Sequence, residues 1–314
     1  MPIDFDPDAE CPIFLAFLER VMAGNCALIA FLQRAVGYSL TGLTGEQVLF
    51  LLYGLGANGK STLLEILRAL LGDYAQQTEF STFLVRKQDG VRNDLARLRG
   101  ARFVSAVEME GERRLSEALV KQLTGGDTIS ARFLFSEFFE FLPAFKLWLA
   151  ANHKPEIRGT DHAMWRRVRL IPFTVTIPDD AQDKSLPAKL RAELPGILAW
   201  AVRGCLQWQA NGLDAPDEVT RATEDYRAEM DVLGDFLAER CIDESGTHVL
   251  AADLYGAYRL WSEQNGAEAI SGVAFARRLT ERGFTRVRVG KKQARGYGGL
   301  RLTQQSSFDD ATGE

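Results

Sequence analysis

Apolar side chains recur at helical spacing twice near the start of the chain. Phe14, Leu15, Phe17, Leu18 and Val21 form the first set, and Leu28, Ile29, Phe31 and Leu32 the second, so the stretch from about Ile13 to Tyr38 reads as two helices. Thr41-Gly42-Leu43-Thr44-Gly45 breaks the pattern. Val48 to Tyr53 is a short, wholly apolar run of the kind a buried parallel strand needs. A Gly-rich loop follows, and Leu63, Leu64, Ile66, Leu67, Leu70 and Leu71 then give a helical face that Gly72 stops. Phe103 to Val107, Lys146 to Ala151 and Val168 to Phe173 are further strand candidates. Apolar strands separated by helical stretches predict an α/β sheet.

From Asp179 to about Met230 the pattern is helical and charged, punctuated by Pro187, Pro195 and Pro216, and reads as a lid or connector. Beyond Val232, Leu254, Tyr255, Tyr258, Leu260 and Trp261 mark one helix. Ser271 to Gly283 marks another, with Ser271 as N-cap. Two alternating runs, Thr285 to Val289 and Gly298 to Thr303, then flank a basic, Gly-rich tip. Helix, helix, basic hairpin is the order of a winged helix. The polar tail from Gln304 to Glu314 is expected to be disordered. The pattern therefore predicts an N-terminal helical region (1–45), an α/β core (46–178), a helical connector (179–231), a winged-helix domain (232–303) and a tail (304–314).

The loop Gly54-Leu55-Gly56-Ala57-Asn58-Gly59-Lys60-Ser61, with Thr62 behind it, fits two templates. Gly54, Gly56 and Gly59 satisfy GxGxxG; Gly54, Gly59, Lys60 and Ser61 satisfy GxxxxGK[ST]. The dinucleotide template needs an acid ending a second strand about 20 residues on. Asp73 lies near that distance but follows a helix, so the P-loop reading prevails. Glycines let backbone N–H groups close around phosphate oxygens at the positive end of a helix. Lys60 is then expected on the β- and γ-phosphates, and the Ser61 hydroxyl on Mg²⁺.

Hydrolysis also needs an acid. Glu108 and Glu110 follow the strand Phe103–Val107, and alternation places them on one side, one to hold Mg²⁺ and one to orient or deprotonate water. Asn152 ends the strand Lys146–Ala151, either as a γ-phosphate sensor or as a turn residue. Arg166 and Arg167 precede the last core strand, as arginine fingers or as structural charges.

Composition narrows the classes. No apolar run reaches the ~18–20 residues that span a bilayer. The four cysteines, Cys11, Cys26, Cys205 and Cys241, are widely spaced, which argues against zinc and for reduced thiols in a cytoplasmic setting. The net charge is −5, yet between Arg277 and Arg301 nine Lys or Arg stand against Glu281 alone. That stretch carries +8 and the remainder −13. Phe275, Leu279 and Phe284 are expected to face inward, leaving Arg277, Arg278 and Arg282 outward. With Lys291 and Lys292 at the tip, they would form a phosphate-binding surface.

Taken in order, Gly54–Ser61, Leu98–Phe103, Glu108-Met109-Glu110, Lys121–Asp127 with Ala131-Arg132, Lys146–Pro155 and Gly159–Phe173 resemble the superfamily 3 helicases. The closest resemblance is to the phage and plasmid primase-helicases and their poxvirus-type relatives, and it runs from about Phe5 to Leu302. It implies an AAA+-type ATPase using ATP and Mg²⁺, assembled as a ring, in all expectation a hexamer, that binds single-stranded or forked DNA, translocates on it and unwinds the duplex in phage or plasmid replication. Glu108 and Glu110 match the family's acidic motif, Asn152 its polar sensor, and Arg166 and Arg167 the region of its arginine finger. Lys121 to Phe141 matches a segment ending in a DNA-gripping hairpin, with Lys121 and Arg132 as contact candidates. Ser136 and Glu137 stand at the tip where a lysine is expected. Family members usually carry an upstream primase domain, so primer synthesis is not expected of this chain, and a primase is a candidate partner. The other readings are an AAA+ initiator or loader without processive unwinding, and a small-molecule kinase with no use for the basic hairpin.

Overall fold

The computed structural model describes residues 3–86, 92–108, 114–157, 159, 162–267, 269–290 and 293–303. Glu110, Lys291, Lys292 and the tail 304–314 lie outside the described residues. The chain forms two compact units, residues 1–227 and 228–314.

In the first unit α1 (Pro12–Val21) starts on a proline, whose missing N–H is not needed in a first turn. The Asn25 side chain accepts the Leu28 N–H to cap α2 (Cys26–Leu40). Then come β1 (Leu49–Tyr53), α3 (Lys60–Leu71), β2 (Ala75–Gln77), α4 (Asn93–Ala96), β3 (Phe103–Val107) and α5 (Glu117–Gly125). They are followed by β4 (Ile129–Ala131), β5 (Phe139–Phe141), β6 (Lys146–Ala151), α6 (His162–Trp165), β7 (Val168–Pro172), α7 (Leu186–Ala192), α8 (Leu194–Asn211) and α9 (Asp217–Glu229).

The core is a five-stranded parallel sheet in the order β2-β3-β6-β1-β7. Leu49 to Leu52 and Phe103 to Ala106 are buried, as is the whole of β6, so both faces of the central strands are covered. On one face Phe31, Phe50, Trp148 and Phe103 form a chain of rings with centroids 6.2, 4.4 and 5.7 Å apart. The Trp148 indole N–H donates to the Ser39 hydroxyl at 3.1 Å, so its one polar atom is satisfied. The edge strand β2, Ala75-Gln76-Gln77, carries no apolar run and gave no sequence signal.

The N-terminal helices and the segment expected as a connector share this core: Phe14, Phe31, Leu190, Ile197 and Trp200 lie in one buried cluster with Phe50 and Trp148. Helices α2 and α8 meet at two glycines. A Cβ on Gly37 would lie 2.1 Å from the Cys205 backbone nitrogen, and one on Gly204 would lie 2.0 Å from the Gln33 carbonyl oxygen.

The second unit contains α10 (Val232–Arg240), β8 (Cys241–Leu250), α11 (Ala251–Gln264), α12 (Gly272–Glu281), β9 (Thr285–Val289) and β10 (Ala294–Leu302). Its antiparallel sheet has the order β8-β10-β9, completing a winged helix. Strand β8 was not anticipated, because Asp243-Glu244-Ser245-Gly246 interrupts any apolar alternation. The Ser271 side chain accepts the Ala274 N–H, as the N-cap reading expects. Phe236, Tyr258, Trp261 and Phe275 pack edge and face around Leu254, Leu279 and Tyr297.

Gly204→Ala is expected to destabilise the first unit by about 1–3 kcal/mol through overpacking. A lowered urea midpoint with an unchanged slope would show it; an unchanged midpoint would mean that α2 and α8 do not approach this closely.

Candidate phosphate site and basic surfaces

All five core strands run the same way, so their C-terminal ends open on one edge of the sheet, where the β1–α3 loop lies. Gly56, Ala57 and Gly59 have φ of +103°, +44° and +85°, the left-handed backbone that turns N–H groups inward. Two neighbours brace the loop. The Ile177 N–H donates to the Ala57 carbonyl at 2.7 Å, and the buried Asn58 amide donates to the Phe173 carbonyl at 3.4 Å. A Cβ on Gly54 would strike that same Phe173 carbonyl oxygen at 2.3 Å, and one on Gly59 would reach Val21 at 2.7 Å. Helix α3 begins at Lys60 with no side-chain cap, so its first N–H groups are left for an anion. Ser61 is exposed on that first turn and Thr62 is half-buried; Leu55 points outward.

The Lys60 side chain is buried and folds back into the loop. Its ammonium donates to the Gly54 carbonyl at 2.6 Å, to Asn58 Oδ1 at 2.9 Å and to Asn152 Oδ1 at 3.1 Å. Burial lowers its pKa from 10.5 to about 8, and the Glu108 carboxylate opposes part of that shift. Glu108 directly follows β3, and its Oε2 accepts the backbone N–H groups of Asn152 and His153 at 2.9 and 3.0 Å. One carboxylate therefore fixes the turn that aims Asn152 at Lys60. The sequence placed these three residues at strand and loop ends; the fold brings them together. Glu108 and Val107 also line a cavity of about 810 Å³ at the ends of β2 and β3.

The two arginines separate. Arg167 is buried, donating through Nε to the Thr124 hydroxyl at 3.1 Å and through Nη1 to the Ala163 carbonyl. It ties α5 to α6 and is not presented at the surface. Arg166 is exposed, with Nη2 on Gln47 Oε1 at 2.5 Å. Arg169, in the same run, donates through Nη1 to the Arg166 carbonyl at 2.7 Å. Both line a cleft of about 280 Å³ with Trp165, Val219 and Thr223.

Strands β4 and β5 form the expected antiparallel hairpin, with Ile129 opposite Phe141 and Ala131 opposite Phe139. Lys121 sits half-buried on α5. The Arg132 guanidinium lies 4.7 Å above the Phe138 ring.

In the second unit the expectation for α12 is corrected. Arg278 is buried, and Arg282 pairs with Asp231, the residue that caps α10. Only Arg277 faces solvent, and Glu281 one turn on lies 3.6 Å from it. The helical pattern counted charges correctly but not which side of Phe275 and Leu279 each one takes. The exposed cations are instead on the wing. Arg288 and Arg295 stand directly opposite across β9 and β10, and Arg286 is two residues along the same face. Opposed like charges destabilise a sheet.

A family of unknown function, DUF5906, matches residues 52–167, and a poxvirus D5 protein-like family matches residues 228–293. A protein of Acanthamoeba polyphaga mimivirus named as a putative helicase is 30% identical over 285 residues, covering 84% of this chain and 30% of that protein. A putative helicase of Frog virus 3 (isolate Goorha) is 30% identical over 272 residues, covering 80% and 28%. The chain thus spans less than a third of the length of either relative. The apo C-terminal region of NrS-1 superposes with a TM-score of 0.53 at 11% identity, covering 95% of this chain and 79% of that one.

Parallel core, P-loop-type turn and appended antiparallel unit define a mixed α/β fold of the primase-helicase class. More narrowly, the chain has a superfamily 3-like primase-helicase fold related to the poxvirus D5 and NrS-1 type proteins, found in several large DNA viruses. Among the described residues no helix is long and apolar enough to cross a membrane, and no three His, Cys, Asp or Glu side chains form a metal cluster.

A phosphate anion beside Lys60 is expected to raise its pKa back toward 10.5, so binding near pH 8 takes up a proton. Titration calorimetry of a nucleoside triphosphate in buffers of different ionisation enthalpy then gives different heats in the wild type and equal heats in Lys60→Arg. Equal heats in both would contradict the buried, depressed ammonium.

Proposed function

We propose that the first unit is the ATP-hydrolysing motor of a superfamily 3 DNA helicase acting in the cytoplasm on replicating viral, phage or plasmid DNA. The single observation that carries this reading is the Lys60–Asn152–Glu108 constellation at the open end of the P-loop strand. Phosphate oxygens replace Gly54, Asn58 and Asn152 as partners of the Lys60 ammonium, and the loop N–H groups close on them. Asn152 is released by that exchange to sense the γ-phosphate. Glu108 stays in place through its two backbone hydrogen bonds and holds or deprotonates the attacking water. Glu110, two residues on, shares that task in the proposal.

The oxygen donors Ser61 and Glu108 suit a hard cation. Mg²⁺ held by them would supply positive charge to the bound phosphates. The remaining need is positive charge on the far side of the γ-phosphate. Arg166, exposed on its own unit, supplies it to a neighbouring subunit's site, and Arg169 holds its backbone. Such an arrangement requires an oligomer, and we propose a hexameric ring. The wing of the second unit, through Arg286, Arg288 and Arg295, grips the phosphates of forked DNA, and a primase is the natural replication partner.

Lys60→Ala is expected to abolish hydrolysis while leaving DNA binding largely intact, and full ATPase activity in that variant would overturn the assignment. Mixing Arg166→Ala with Lys60→Ala protein is expected to restore part of the lost activity, since a mixed interface pairs an intact loop with an intact finger. No recovery in mixed oligomers would place the arginine elsewhere. Strand displacement on a forked duplex separates unwinding from loading: an oligomer that hydrolyses ATP without displacing a strand is an initiator or loader. Salt titration of duplex binding is expected to show a slope smaller by about 2 in Arg288→Ala/Arg295→Ala. An unchanged slope would remove the wing from the interface.

A further inference from the structure

Helix α9 runs from Asp217 in the first unit to Glu229 in the second, across the division at Arg227 and Ala228. Two hydrogen bonds fasten it. The Leu170 N–H of the edge strand β7 donates to the Thr223 hydroxyl at 3.1 Å. One turn on, the Tyr226 hydroxyl donates to the Pro155 carbonyl. Tyr226 is fully buried, with the Trp165 ring edge-on at 5.1 Å. The Lys154 ammonium lies 5.7 Å over the Tyr226 ring. It also lies 5.1 Å over the ring of Tyr53, the last residue of β1 before the phosphate loop.

Lys154 and Pro155 belong to the turn that carries Asn152. The start of that turn is tied to the phosphate site. Asn152 Oδ1 accepts from the Lys60 ammonium, and Glu108 accepts the N–H groups of Asn152 and His153. The end of the turn is tied to α9. A proline fixes its own φ, so this short connection has little slack to absorb a displacement. Packing alone would be served by a phenylalanine at 226, whose ring would fill the same space; the hydroxyl is what joins the helix to the turn. The Lys154 cation, attracted to the faces of two rings, binds the turn to β1 and α9 at once.

We propose that Lys154, Pro155 and Tyr226 form a latch that carries the nucleotide state of the phosphate loop to the helix entering the second unit, with Lys154 and Tyr226 as positioning residues. The inference rests on the helicase reading, in which phosphate oxygens displace Asn152 from Lys60, and goes beyond it by naming the residues that transmit the change. Glu108 still holds the start of the turn after that exchange, so the displacement is taken up at Pro155. Thr223 stays on β7 as the fixed point, and Tyr226 follows Pro155 as the driven one. Helix α9 pivots between them, and the change travels along the helix itself past residue 228. Such coupling is reciprocal: the factor by which nucleotide changes DNA affinity is the factor by which DNA changes nucleotide affinity.

The test measures the full chain's affinity for a labelled forked duplex by fluorescence anisotropy, with and without the imido analogue of ATP and Mg²⁺. Wild type is expected to show a shift of about fivefold or more, and the analogue's own affinity to shift by the same factor when DNA is added. Tyr226→Phe keeps the ring and removes the hydroxyl; Lys154→Met keeps the stem and removes the charge. Each is expected to bring both factors close to one while leaving the analogue's affinity without DNA unchanged. Lys154→Arg, which still lays a cation on the rings, retains them. Variants that lower the Tm yet keep both factors assign the latch to stability alone and overturn the proposal. Loss of analogue binding without DNA in Tyr226→Phe also overturns it, placing the hydroxyl in service of the phosphate site. So does wild-type protein that binds both ligands with independent affinities. Wild type that binds neither ligand would instead sink the helicase reading itself.

Discussion

An ammonium group buried under a loop of peptide carbonyls needs acceptors, and the site of this protein is arranged around that need. Lys60 finds them in the Gly54 carbonyl, Asn58 and Asn152, which belong to the loop it follows and to the end of the neighbouring strand β6. Those bonds only exist if β1 and β6 are adjacent and in register, as they are from Leu49 opposite Leu147 to Tyr53 opposite Ala151. The order of the sheet and the state of the lysine are thus one constraint. Burial among these neutral acceptors lowers the lysine's pKa.

The same economy extends to Glu108. A carboxylate after a buried strand is expensive unless hydrogen-bonded. Two backbone N–H groups meet that need, and by doing so they hold the turn that carries Asn152. The loop itself is held from behind by Phe173 and Ile177, which follow β7. The strands beside the loop thus contribute contacts that hold it open, and Gly54 stands where a Cβ would collide with the Asn58–Phe173 pair.

The arginines show how burial decides roles that charge alone leaves open. Arg166 and Arg167 are adjacent, but one bonds Thr124 inside the unit and the other reaches Gln47 at the surface. In the winged helix, Arg278 is buried and Arg282 is committed to Asp231, while the wing keeps Arg286, Arg288 and Arg295 outward.

The sequence by itself determined the Gly-rich turn between β1 and α3, four of the five core strands, and the succession of α11, α12 and a hairpin in the second unit. Each rests on local chemistry: glycines where φ is positive, unbroken apolar runs where both faces are covered, a serine where a helix needs a cap. It did not reveal β2 or β8, whose polar residues sit at edges with no pattern to impose. Only the tertiary structure decided that Asn152 reaches Lys60, that α8 belongs to the core through Gly37 and Gly204, and which arginines are buried and which are exposed. Those outcomes depend on contacts between residues up to about half the chain apart, such as the 92 positions between Lys60 and Asn152. Packing, rather than spacing along the chain, fixes which side of an element such residues face.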